Sequence, residues 1–119
     1  MKVKTLVEID QSTIDLLATP PMTEKNFNGL TAAQTERLVI LQEELAESIQ
    51  AVSKIMRHGY QSVRPGASAT SNRLHLQDEL GHVQNAITML VNAKDLSREA
   101  INAQELHKSV NIGKYLHHN

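Results

Sequence analysis

The chain contains no cysteine, which excludes disulfides and thiolate zinc sites and fits a reducing cytoplasm. Tryptophan is absent as well, and Phe27, Tyr60 and Tyr115 are its only aromatic residues, so the core must be built from Leu, Ile, Val, Met and Ala. A thin core of that kind often grows by oligomerisation. Neither charge sign dominates: the formal net charge is −1, and the scattered Lys and Arg form no stripe able to neutralise a phosphate backbone. Binding to a nucleic-acid polymer is therefore disfavoured. No apolar run is long enough to span a bilayer. The start, Met1-Lys2-Val3-Lys4, is basic, but Glu8 and Asp10 interrupt the apolar stretch too early for a signal peptide. These features describe one cytoplasmic domain over residues 1–119, with room for one core and with residues 1–30 as an N-terminal segment of open role.

What the chain does have is helical periodicity. Residues through Ala18 mix Val3, Leu6, Val7, Ile9, Ile14 and Leu17 without a clean period and read as a short helix ended by Pro20-Pro21. Met22 to Leu30 reads as a loop. Thr31 and Gln34 have capping-box spacing, and a long helix then runs to about His58, where Arg57 and His58 suit the negative end of the helix dipole and Gly59 the left-handed residue that follows. Gly59 to Ser71 is a loop near the upper end of ordinary length. A second long helix runs from Asn72, as N-cap, to about Ala93. Ser97 caps a third, which carries Ile101, Leu106 and Val110 and either continues or breaks near Gly113. The expectation is an all-α bundle of about four helices.

The two long helices share a carboxylate spacing: Glu43-Glu44-Leu45-Ala46-Glu47 in one, Asp78-Glu79-Leu80-Gly81-His82 in the other. At about 100° of rotation per residue, Ile40, Ala51 and Ile55 fall within about 40° of Glu44, with Glu47 near −60° at the edge of the apolar arc. Around Glu79, Ala86, Leu90 and Val83 fall within about 40°, and His82 again lies near −60°. An ionised carboxylate on a core-facing side is costly unless it is paired or coordinates a cation. Two such residues, each with a second ligand one turn later, describe facing helices that concentrate negative charge around a divalent metal. The competing reading puts both Glu residues on the shoulder of the arc, reaching water by their flexible stems.

Magnesium takes hard oxygen ligands and shares its shell with water and phosphate. Three core-edge Glu residues with Lys54 and Arg57 on the same helix fit that division of labour, the basic groups holding phosphate oxygens. Lys54, near −80°, is close to Glu47 on the wheel, although a solvated Lys on a polar face has the same position. Glu43 and Asp78, each near −100°, form a second tier; Asp78, four positions before His82, has the spacing of an imidazole partner. For both, an exposed charge is the alternative. His58, His75, His107, His117 and His118 form no helical ligand pair with metalloprotease spacing, and no Gly-rich phosphate loop is present. Phe27 or Tyr60 could stack on a base or simply pack.

Glu43-Glu44-Leu-Ala-Glu47, Lys54, Asn72-Arg73 and Glu79-Leu80-Gly81 together resemble the MazG-like members of the all-α nucleoside triphosphate pyrophosphohydrolases. Within that group the chain looks similar to small phage-type single-domain proteins, in the segment Leu38 to Gly59 and the Lys-Tyr-Leu ending at Lys114 to Leu116. The resemblance covers roughly residues 32–118. It implies cleavage of a (deoxy)nucleoside triphosphate to the monophosphate and pyrophosphate, with water as nucleophile. By position, Glu44, Glu47 and Glu79 would be magnesium ligands and Glu43 would help position the water. Lys54 and Arg73 would contact phosphate. A helical bundle forming homodimers or homotetramers would complete the pocket.

One position departs from that pattern. Where the family's second acidic pair normally ends in Asp, this chain has His82, also a metal-ligand candidate. Imidazole suits manganese and later transition metals better than magnesium, so Mn2+ is an alternative to Mg2+. The loop between the pairs is also longer than the family leads one to expect. Two other classes remain beside the hydrolase: a catalytically degenerate nucleotide-binding or assembly protein of the same fold, and a purely structural helical oligomer.

Overall fold

In a computed structural model of the chain, residues 25–63 and 70–118 are described. The short helix expected through Ala18 lies outside them. The chain divides into two compact units, Met1–Ala33 and Gln34–Asn119. In the first, the described residues make a turn before the first helix. The Asn26 amide donates to the Leu30 carbonyl at 2.9 Å, the Asn28 side-chain oxygen accepts from the Leu30 amide at 3.0 Å, and Gly29 takes φ 79°.

The described residues are all-α: helix α1 (Ala32–His58), α2 (Asn72–Asn92) and α3 (Arg98–Asn111), with a 3-10 turn over Ile112–Tyr115 and no strand beyond an isolated bridge between Val63 and Ser71. The boundaries follow from local chemistry. α1 stops where Gly59, at φ 86°, turns its amide back to the Ile55 carbonyl at 2.7 Å, a left-handed conformation that would strain any side chain. α2 is capped by Ser71, whose hydroxyl accepts from the Leu74 amide at 3.1 Å. This corrects the expected Asn72 cap by one residue. Asn72 is unavailable as a cap because its side-chain amide donates to the Gly59 carbonyl at 3.2 Å. Ser97 caps α3 as expected, accepting from the Ala100 amide at 3.2 Å, with Glu99 in the first turn. The helix ends at Asn111, just before Gly113, and tightens into the 3-10 turn.

Contacts between α1 and α2 run in opposite directions along the two helices. Gly59 meets Asn72, Glu44 meets His82, and Arg37 meets Asp95 just past the end of α2. The pair is an antiparallel hairpin. Its buried seam consists of Ala51 on α1 and Val83, Ala86 and Leu90 on α2, together with the polar Ser48 and Glu79. The seam is lined by the small residues Ala51 and Ala86, and Ser48 satisfies its hydroxyl by donating to the Glu44 carbonyl at 2.9 Å. Larger apolar residues are left outside the seam. Leu38, Leu45, Ile49, Val52 and Met56 are 41–81% exposed and share an arc of α1. That arc lies about 80–140° round the helix from Glu44. No described helix is long and apolar enough to cross a membrane.

The far end of the hairpin is held by charge. Arg37 donates from Nε to Asp95 Oδ2 at 2.6 Å and from Nη2 to Oδ1 at 3.2 Å, a two-pronged contact between residues largely withdrawn from water. The hydrogen bond from Arg37 holds the Asp95 carboxyl below its ordinary range, although partial burial opposes this. A carboxyl lowered in the folded state stabilises the fold at pH values above its unfolded pKa, near 3.9, and that contribution is lost as the pH falls through the folded value. Asp95→Asn should therefore destabilise the chain at neutral pH, with the difference from the parent shrinking below about pH 4 in chemical denaturation. A difference that stays constant through the acid range would contradict this account.

Candidate metal centre

Glu44 and Glu47 are one turn apart on α1, and Glu79 and His82 one turn apart on α2. The antiparallel packing brings the four together. Each offers a ligand atom, and these atoms all lie within 4.8 Å of one another, forming a group that could hold a metal ion. The site is graded in depth: Glu79 is buried at 8% exposure, Glu44 is half-buried, and Glu47 and His82 are open to solvent. The expected inward turn of both key carboxylates is observed.

The electrostatics are those of a site short of positive charge. Glu44 Oε2 and Glu79 Oε2 are both buried and accept no hydrogen bond. His82 Nδ1 stands 3.4 Å from each. A buried carboxylate oxygen without a donor is strongly disfavoured, and two of them facing one ring nitrogen mark where a cation would sit. Glu47 responds to the crowding. Its carboxyl is pushed above the ordinary range, chiefly by a hydrogen bond shared with Glu79, and further by the negative charges of Glu79 and Glu44. Burial alone would push Glu79 upward too, but the Glu47 hydrogen bond and the His82 and His75 imidazoles outweigh it and hold Glu79 below its usual value. The two carboxyls are shifted in opposite directions because each feels the other's charge. A divalent ion in the cluster would supply the positive charge these carboxylates lack.

The donor set fits a divalent metal, with three carboxylates and one imidazole converging from two rigid helices. The other predicted residues are placed differently. Glu43 and Asp78 are exposed and stand outside the group. Asp78 is not the imidazole partner of His82, because the ring turns its Nδ1 toward Glu44 and Glu79 instead. Lys54 is half-buried on the side of α1 that carries Glu47, two turns or about 10 Å further along. Arg57 is exposed. Arg73 lies over the Tyr60 ring, 4.7 Å from its centroid, at the other end of the hairpin from the Arg37–Asp95 pair. Phe27 is fully exposed. One contact escaped sequence reasoning: His75 Nε2 lies 3.2 Å from Glu79 Oε1. The four-residue spacing of these two on one helix was the available signal.

Comparison with protein-family models, curated proteins and solved structures returns no match to the chain.

An ion bound only by the folded chain must raise its melting temperature, by the equivalent of about 2.7 kcal/mol when the ion is at a hundred times its Kd. Manganese should therefore raise the Tm of the parent and a chelator should reverse the effect. Glu79→Gln should abolish the response, because the deepest carboxylate of the cluster has been removed. A full metal response in Glu79→Gln, measured by calorimetry, would rule out the cluster as the binding site.

Proposed function

We propose that this chain is a metal-dependent nucleoside triphosphate pyrophosphohydrolase, a MazG-like helical bundle that cleaves a (d)NTP to the (d)NMP and pyrophosphate. The observation that carries the reading is the pair of donorless buried oxygens, Glu44 Oε2 and Glu79 Oε2, within a four-ligand cluster built from two helices. The resemblance of Glu43-Glu44-Leu-Ala-Glu47 and Glu79-Leu80-Gly81 to that family supports it, and supplies the bond that is cleaved.

In this reading Glu44, Glu47, Glu79 and His82 hold the ion, which when bound would neutralise charge developing on the phosphate chain. Glu43, beside Glu44 on the solvent side, positions the attacking water and accepts its proton. Lys54 lies along α1 from the cluster, where a triphosphate anchored at the ion would extend, and contributes a point charge to its oxygens. Arg57 and Arg73 are the next cations in that direction, toward the loop end of the hairpin. The imidazole in the ligand set favours Mn2+ over Mg2+.

Pyrophosphate release from a panel of ribo- and deoxyribonucleoside triphosphates, with each metal supplied separately, tests the activity. Turnover should be greater with manganese and should fall at least about a hundredfold in Glu44→Gln, since a catalytic metal supplies several kcal/mol. His82→Asp should shift the preference toward magnesium. Turnover that appears only in His82→Asp would instead favour the degenerate nucleotide-binding reading, and none in either protein would reject the hydrolase.

The second part of the proposal is a homodimer or homotetramer. Leu38, Leu45, Ile49, Val52 and Met56 form a single exposed stripe on α1, in a chain whose described residues bury only four apolar side chains. An exposed stripe of this length marks an interaction surface, and a twofold contact between like helices would cover both copies at once. Ile49→Glu with Met56→Glu should yield monomers by analytical ultracentrifugation. A parent that is already monomeric at micromolar concentration would refute this part.

A further inference from the structure

We infer that His75 is a positioning residue that restricts Glu79 to one-oxygen coordination and so selects a small divalent ion over calcium. The inference rests on the reading of the four-residue cluster as a metal centre. It starts from a division between the two oxygens of one carboxylate. Glu79 is the most buried member of the cluster, at 8% exposure. Its Oε1 lies 3.2 Å from His75 Nε2, one turn earlier on α2, whereas its Oε2 has no hydrogen-bond donor and faces His82 Nδ1 at 3.4 Å together with Glu44 Oε2. One oxygen has the His75 imidazole beside it, and the other faces His82 without a donor.

The consequence is chemical. A Glu side chain turns freely about its terminal bond unless something fixes it, and a free carboxylate can offer a cation either one oxygen or both. Calcium takes six to eight oxygens and commonly uses a carboxylate through both, whereas smaller ions such as magnesium, with near-octahedral geometry, do not require it. An imidazole nitrogen 3.2 Å from Oε1 leaves Oε2 as the oxygen the deepest ligand offers to an ion. Partners that orient a ligand in this way typically contribute about ten- to a hundredfold to metal affinity. Of the three carboxylates in the cluster, Glu79 is the most buried and the one with an imidazole from outside the cluster beside its second oxygen, so the discrimination falls on Glu79.

The test is a comparison of Mn2+ and Ca2+ affinities by isothermal titration calorimetry on the full chain. His75→Gln carries an amide N–H at about the reach of Nε2 and should bind both ions as the parent does. His75→Asn keeps a polar residue at this partly exposed position but is too short to reach Oε1. It should bind manganese about tenfold more weakly and lose at least as much of its preference for manganese over calcium. If the Asn variant fails to fold, His75→Ala, a stronger helix former, replaces it with the same expectation. A Mn2+/Ca2+ affinity ratio that is the same in the parent, Gln and Asn or Ala proteins overturns the role of His75 and leaves the metal centre standing. A parent that binds neither ion removes both.

Discussion

Two carboxylate oxygens without donors, buried against each other across an antiparallel helix pair, are the constraint on which the rest of this structure turns. Folding brings Glu44 and Glu79 to the seam because their neighbours at helical spacing, Ala51 on one side and Val83, Ala86 and Leu90 on the other, are the residues that bury. The apolar seam thus forces charge inward, and the His75 and His82 imidazoles only partly relieve it. A cluster that is internally short of positive charge could hold a cation on physical grounds, whatever it resembles.

The hairpin is well made to keep that arrangement in register. At one end Asn72 and Arg73 bond back to Gly59, Tyr60 and Ser62; at the other Arg37 grips Asp95. The site lies between these two fastenings. A helix pair fixed at both ends cannot slide by a residue without breaking one of them, and a slide of one residue would rotate Glu44 by about 100° out of the seam. Small shifts of that kind matter at a metal centre, where ligand positions must hold to fractions of an ångström.

Much of this was legible in the sequence, for an identifiable reason. The inward turn of Glu44 and Glu79, with Glu47 and His82 at the edge, follows from helical periodicity, which both segments display over several turns. The ends of α1 and the Ser97 cap of α3 were readable because Gly59 and Ser97 have few conformational alternatives at those positions. Contacts made across the fold were not. Arg37 and Asp95 are 58 residues apart, and no spacing rule links them. Asp78 and His75 both stand at helical spacing from a site residue, and periodicity alone could not say which pair would form. The answer depended on the direction in which the His82 ring turned. Ser71 and Asn72 are likewise equivalent as caps until the Gly59 carbonyl claims the Asn72 side chain.

The bridge between Val63 and Ser71 has a consequence for how this molecule can vary. It closes the connection between α1 and α2 at its base, on the residues that join directly to the capped start of α2. Closing a longer connection on the same base costs little, about 0.6 kcal/mol for each doubling of length. A closed base of this kind lets the connection above it change in length while the register of the two helices, and with it the placement of Glu79 about two turns further along α2, is kept.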